Sequence, residues 1–164
     1  MNYYLSYPKQ TVLITSRANV KLFGKTVEKD NIMTASWHTM LSFDPFLYGV
    51  LIAPSRFTHK LIQKSKVFCV NFIPYDMREQ ALKCGNSSGE VIDKFKEFKI
   101  EKGECKTIDC PYVKGACAIY ECRVVSSLQL GDHTLFIGQV ITAKKFSNKP
   151  RLFQEKHDDF VTTK

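Results

Sequence analysis

Gly131-Asp132-His133 runs without a break into Thr134-Leu135-Phe136-Ile137-Gly138-Gln139-Val140. Gly131-Asp132 has turn chemistry: glycine takes positive φ without steric cost, and aspartate bonds to its own backbone. The residues that follow predict a strand with Leu135, Ile137 and Ile141 on one face. His133 then stands at the mouth of a strand, where a sheet holds it and a ligand can still reach it. An imidazole in such a place can move a proton or form part of a ligand-facing wall. The competing reading is a solvated surface histidine. Gly138, inside the strand pattern, predicts a bulge or a close approach of another group to the backbone.

Three other segments carry groups that suit chemistry. Ser55-Arg56-Phe57-Thr58 gathers two hydroxyls and a guanidinium at an expected helix start. Free N–H groups and the helix dipole attract anions there, and arginine fits phosphate bidentately. The alternative is a capped helix, with Ser55 as N-cap and Arg56 on the solvent face. Asn31 to Trp37 places Thr34, Ala35 and Ser36 in an extended segment that ends in the only Trp of the chain. Small side chains leave the backbone bare enough for a flat ring to meet main-chain amides. An ordinary strand with Trp37 in the core fits equally. Ser88-Gly89-Glu90-Val91-Ile92-Asp93-Lys94-Phe95 is a glycine loop feeding a short amphipathic helix, with Asp93 and Lys94 expected at the surface and Phe95 inward. No Ser/His/Asp triad assembles, and Asp158-Asp159 sits in a charged tail.

The six cysteines are Cys69, Cys84, Cys105, Cys110, Cys117 and Cys122. None forms Cys-x-x-Cys, and His38, His59, His133 and His157 stand at no metal-ligand spacing from them. Cys105, Cys110 and Cys117 lack standard zinc spacing, so no metal site is expected. Free thiols in a reducing cytoplasm are the expected state, with Cys69 as a small core residue.

The elements that must position these groups are mostly strands. Thr11–Ser16 is β-branched, Glu28–Asn31 reads as a polar turn, and Ile32–Trp37 as extended. Asp44-Pro45 breaks the chain before the apolar run Leu47–Ile52. A helix carries Phe57, Leu61 and Ile62 inward. Val67–Ile73 is a buried strand, Asp76–Lys83 is helical, Cys84–Gly89 is a loop, and a short helix covers Glu90–Phe98. Tyr112–Leu130 and His133–Phe146 form a hairpin across Gly131-Asp132. The tail after Phe153 reads as a turn and a short final strand. Six or seven strands with two or three inserted helices do not alternate as βαβ units; they fit a closed or split β-barrel.

The 164 residues suit a single domain spanning 1–164, and 44% hydrophobic content supports a packed core. No apolar run approaches a membrane span, and the N-terminus lacks signal-peptide character, so a soluble cytoplasmic protein is expected. The net charge of +8 is spread over lysines interleaved with acids, without an RNA-binding aromatic signature. That favours an anionic small molecule over nucleic acid, although a basic nucleic-acid-binding barrel remains an alternative.

Taken in order, Asn31–Trp37, Asp44-Pro45, Ser55–Thr58, Phe68–Phe72, Ser88–Phe95 and Gly131–Gly138 resemble the motifs of the flavin reductase-like family, which includes flavoredoxin. The resemblance covers about Thr11 to Phe146. It implies a mainly β fold: an FMN-binding split β-barrel of Greek-key type, homodimeric, with FMN near the subunit interface. It implies electron transfer from NADH, NADPH or a redox protein through FMN to free flavin, ferric iron or a redox protein. A non-catalytic FMN-binding electron carrier is the alternative. By resemblance, Thr34, Ala35, Ser36 and Trp37 line the isoalloxazine and ribityl region. Ser55, Arg56 and Thr58 meet the phosphate, Asn71 and Phe72 wall the pocket, and Ser88 and Gly89 lie in a loop near the flavin. His133 faces the electron donor. The chain after Phe146 matches the family poorly.

Overall fold

The structure is a computed structural model that describes residues 3–22 and 24–162. After a short 3₁₀ turn, Tyr3–Ser6, the described residues form twelve strands and three α-helices, with a second 3₁₀ turn at Tyr75–Met77. In chain order they are β1 (Lys9–Gln10), β2 (Val12–Leu22), β3 (Lys25–Ala35), β4 (His38–Ser42), β5 (Leu47–Ile52), α1 (Phe57–Ser65) and β6 (Val67–Phe72). Next come α2 (Arg78–Gly85), α3 (Lys94–Glu97), β7 (Lys102–Glu104) and β8 (Pro111–Val113). β9 (Ala118–Leu130), β10 (His133–Lys145), β11 (Leu152–Lys156) and β12 (Asp159–Thr162) complete the chain.

Seven strands form one antiparallel sheet in the order β3-β2-β6-β9-β10-β5-β4. Its edge strands β3 and β4 do not pair, so the barrel is split. The period of two along each strand separates two cores. Val12, Ile14, Val50, Ile52, Phe68, Val70 and Phe136 fill the barrel interior together with Ile62 of α1. Leu13, Cys69 and Ile73 project from the opposite face and are covered by Ala81, Cys84, Phe95, Ile100 and Val113. Each large side chain buried this way contributes about 1.5–3 kcal/mol.

Several expected boundaries move. Glu28–Asn31 is strand, not turn: Asn31 faces Ser16 and Asp30 faces Arg17 across the β2–β3 ladder. Polarity does not break the strand because its charges are met across it, with Arg17 Nε donating to Asp30 at 2.6 Å. The helix expected over Glu90–Phe98 shrinks to α3, because Asp93 is the residue that caps it, accepting from the N–H of Phe95 and Lys96. The α2 helix absorbs Cys84 and Gly85, which were expected in a loop. Tyr112–Leu130 is interrupted after Val113, where Gly115 adopts φ +91°.

The β9–β10 hairpin forms as expected, with His133 opposite Leu130 across Gly131-Asp132. The buried face of β10 carries Thr134, Phe136 and Gly138, whereas Leu135 and Ile137 are half-buried. An irregularity between Ile137 and Gly138 fits the expected bulge. A Cβ on Gly138 would lie 2.7 Å from Phe68 Cζ and 2.8 Å from Cys122 Cβ, so glycine is what admits Phe68. A second register shift after Val140 puts Ile141 on the exposed side. The tail forms more than one strand: β11 and β12 join β1 in a second sheet, anchored by fully buried Leu152. Among the described residues, no helix is long and apolar enough to cross a membrane.

Candidate functional site

The first turn of α1 opens one wall of a cavity of about 360 Å³. The N-cap is Arg56, not Ser55. Its backbone is extended and its side chain makes no capping bond. The helix turns one residue later than the serine pattern suggests, so neither neighbouring hydroxyl is spent on capping. Phe57 and Thr58, the first two residues of the helix, line the cavity, so the positive end of the helix dipole lies beside it. Ser55, Arg56 and Thr58 line it, and so do Ser88 and Gly89 from the loop after α2.

Two groups missed in the sequence complete this cavity. Lys94, expected at the surface, is only 4% exposed and its Nζ donates to the Cys84 carbonyl at 2.7 Å. Burial pushes its pKa down to about 8, with the Arg56 charge acting in the same direction. Asn31 donates from Nδ2 to Thr58 Oγ1 at 2.8 Å, while its buried Oδ1 has no partner. Gly89 packs directly on that amide: a Cβ there would lie 1.9 Å from Asn31 Oδ1. The lining thus holds two cations and several hydroxyls, and no carboxylate. Such a donor set suits a phosphate-sized dianion. Lys94 is the first residue after the Asp93 cap of α3.

A second cavity, of about 450 Å³, adjoins the first through Thr34, Arg56, Gly85 and Asn86. Thr34 donates to the Ala81 carbonyl. Ser36, Trp37 and His133 form one side. The His133 ring lies 4.7 Å from the Trp37 ring, tilted by 37°, and its Nδ1 is 2.8 Å from Asp132 Oδ1. That bond holds the Asp132 carboxyl below its usual range. The turn itself is braced from behind. His59 Nε2 lies 2.8 Å from Thr134 Oγ1, Thr134 donates to Gln129 Oε1 at 2.8 Å, and Gln129 donates to the Gly131 carbonyl at 2.9 Å. The chain termini supply the remaining wall with Tyr4, Tyr7 and His157. Trp37 Nε1 donates to Tyr7 Oη at 3.2 Å, and Tyr4 Oη lies 3.0 Å from His157 Nδ1. These three residues were missed because they come together only through the β1–β11 pairing, which no local pattern announces.

Three expected residues lie elsewhere. Asn71 is fully buried on the far side of β6, where its amide bonds to the Leu13 carbonyl, Thr15 Oγ1 and the Val113 N–H. Adjacent strand residues face opposite ways, so Asn71 and Phe72 do not wall one pocket. Phe72 lines a third cavity, of about 860 Å³, with His38, Tyr48 and Tyr120; Ser36 and Trp37 stand between it and the second cavity. The Ala35 side chain packs in the barrel core and lines none of these cavities. No group of three or more metal-ligating side chains assembles among the described residues.

A family model described as the flavin reductase like domain matches residues 4–161. A protein of Archaeoglobus fulgidus with no assigned function is 38% identical over 135 residues, which cover 82% of this chain and 71% of that one. An NADH:riboflavin 5'-phosphate oxidoreductase of Streptomyces pristinaespiralis is 30% identical over 134 residues, covering 79% of this chain and 72% of its own length. Among solved structures, an FMN-binding protein from Thermus thermophilus superposes with a TM-score of 0.85 at 27% identity, covering 98% of this chain and 89% of its own.

Proposed function

The chain belongs to the flavin reductase-like family, and from that premise we propose that it is an FMN-dependent oxidoreductase. It takes electrons from NADH, NADPH or a redox protein and passes them to free flavin, ferric iron or a redox protein. The observation that carries this reading is the junction of the two cavities. One is lined by cations and hydroxyls at a helix start, and it shares Thr34, Arg56, Gly85 and Asn86 with another walled by Trp37 and His133. FMN has the same two ends, a phosphate dianion and a flat ring.

Within this reading Arg56, Lys94, Ser55, Thr58 and the α1 amides hold the phosphate. Ser88 and Gly89 close the loop over it. Thr34, Ser36 and Trp37 line the ribityl and ring end, with Ala35 holding that segment in the barrel wall. Bound there, FMN supplies the acceptance and release of two electrons that no protein side chain provides. The protein's own part is placement, charge and exclusion of water. His133, fixed against Trp37 and Asp132, faces the donor. No acid–base pair is required of the chain, in keeping with the lack of a triad.

Two further parts of the reading concern the surroundings. Edge strand β4 and its following turn expose Met40, Leu41 and Phe43, the last at 86%, beside the third cavity. A second copy of the chain covering this apolar patch fits a homodimer. Six free thiols suit a reducing cytoplasm.

The test is anaerobic addition of NADH, then NADPH, to flavin-loaded protein. Bleaching of the flavin absorbance by either supports the reductase. A loaded protein that neither nucleotide bleaches, but dithionite does, is an electron carrier instead.

A further inference from the structure

Three of the six cysteines, Cys69, Cys105 and Cys110, converge where the β7–β8 hairpin meets its loop, and none of them lines either cavity. The register pairs Lys102 with Val113, Gly103 with Tyr112 and Glu104 with Pro111. The next opposed pair is Cys105 and Cys110, and the Cys105 N–H donates to the Cys110 carbonyl at 3.0 Å. Directly opposed residues on antiparallel strands have Cα atoms about 4.5–5.5 Å apart, inside the span that a disulfide bridges. The Cys105 thiol interacts electrostatically with the thiols of Cys110 and Cys69. Cys105 is partly exposed, whereas the other five cysteines are buried.

The loop between the two cysteines is held in place. Arg17, on β2, donates to Glu104 at 3.0 Å and to Asp109 at 2.9 Å. Buried Glu121 accepts from the Lys106 N–H, the Thr107 N–H and the Thr107 hydroxyl. Cys110 is anchored by its own bond to the Thr15 carbonyl, at 3.2 Å. Little chain entropy is left to lose on linking the two residues.

We propose that Cys105 and Cys110 form a reversible disulfide on reaction with a small hydroperoxide, Cys105 being the thiol that attacks. The roles follow from the surroundings. Interaction with the neighbouring Cys110 and Cys69 thiols holds the Cys105 thiol below its ordinary range, against burial and the Glu121 and Glu104 charges. Burial holds Cys110 and Cys69 as thiols. The thiolate is the nucleophilic form, and only Cys105 combines it with access from solvent.

In the first step Cys105 sulfur attacks the terminal peroxide oxygen. An S–O bond forms, the O–O bond breaks, and the other oxygen leaves as alcohol or water after taking a proton. Cys105 is now a sulfenic acid. Cys110 sulfur then attacks Cys105 sulfur, the S–O bond breaks and water leaves with the Cys110 proton. Two thiols have lost two electrons and one hydroperoxide has gained them. A dithiol reverses the link by thiol–disulfide exchange. Nothing in this chemistry depends on bound flavin.

The experiment uses the reduced native protein and one equivalent of hydrogen peroxide, followed by alkylation and peptide mapping without reductant. The expected result is loss of two hydrogens from the intact mass and a Cys105–Cys110 linked peptide that dithiothreitol releases. In Cys110→Ala, dimedone should capture Cys105 as the sulfenic acid; in Cys105→Ala, both products should disappear. Finding Cys105 and Cys110 both alkylated after peroxide overturns the proposal. So does a Cys105–Cys69 link, or over-oxidised Cys105 without any disulfide, and these wild-type results hold whether or not the variants fold.

Discussion

Replacing Lys94 by methionine should separate the phosphate from the rest of the flavin. Methionine keeps most of the buried stem and removes the charge together with its hydrogen bond to the Cys84 carbonyl. Lys94 lines the first cavity, whose lining includes no carboxylate, so a bound phosphate would be its counter-ion. Hydrogen bonds to charged groups contribute about 1.5–3 kcal/mol. A loss of about 2 kcal/mol raises the FMN Kd by about 30-fold. Riboflavin, which has no phosphate, should bind wild type and Lys94→Met equally. Fluorescence-quenching titrations of both flavins against both proteins give the four constants.

The pH dependence adds a second arm. Free Lys94 titrates near 8, depressed by burial, and a bound phosphate dianion raises that value. Below pH 8 the lysine is already charged, so its contribution to affinity is flat. Above pH 8 binding must take up a proton, and FMN affinity falls by up to about tenfold per pH unit until the pKa of the complex is reached. Lys94→Met should lose this fall. The phosphate's own second ionisation, near about 6, lies outside the window. Stability should change little, because removing a buried charge offsets the about 1 kcal/mol lost at the Cys84 carbonyl. Equal losses for FMN and riboflavin, or an unaltered pH profile in the variant, would refute the reasoning.

Three other substitutions probe the same geometry. Arg56→Ala should weaken FMN by about 2 kcal/mol in the same titration and spare riboflavin, since its guanidinium is the second cation of the cavity. Gly89→Ala drives a Cβ onto Asn31 Oδ1; thermal melts should show a loss of about 1–3 kcal/mol and FMN titrations a weaker complex. His133→Ala should leave the FMN Kd within about twofold, a change of under about 0.5 kcal/mol, and slow reduction by the donor in anaerobic stopped flow. Release of FMN from that variant instead would make His133 a structural contact.

The strands and the hairpin were legible because period-two hydrophobicity and turn chemistry are local. Glu28–Asn31 misled because its charges are satisfied across the ladder by Arg17, a partner eleven or more residues away in sequence. The hydroxyl and guanidinium cluster at Ser55–Thr58 was visible as an anion site, yet the N-cap is Arg56 and not Ser55. Asn71 was assigned to the pocket beside Phe72, and strand alternation alone forbids the pair. Lys94 and the Tyr4, Tyr7 and His157 wall were hidden for a different reason. Burial of a lysine and the meeting of both termini are tertiary events, the second set by the pairing of β1 with β11.

The central claim is that the two joined cavities hold one FMN. Equilibrium dialysis of flavin-free protein against FMN, read by absorbance, measures it directly. The account predicts saturation at one FMN per chain, with tighter binding than riboflavin. A protein that stays colourless at saturating FMN, or binds riboflavin as tightly, contradicts it.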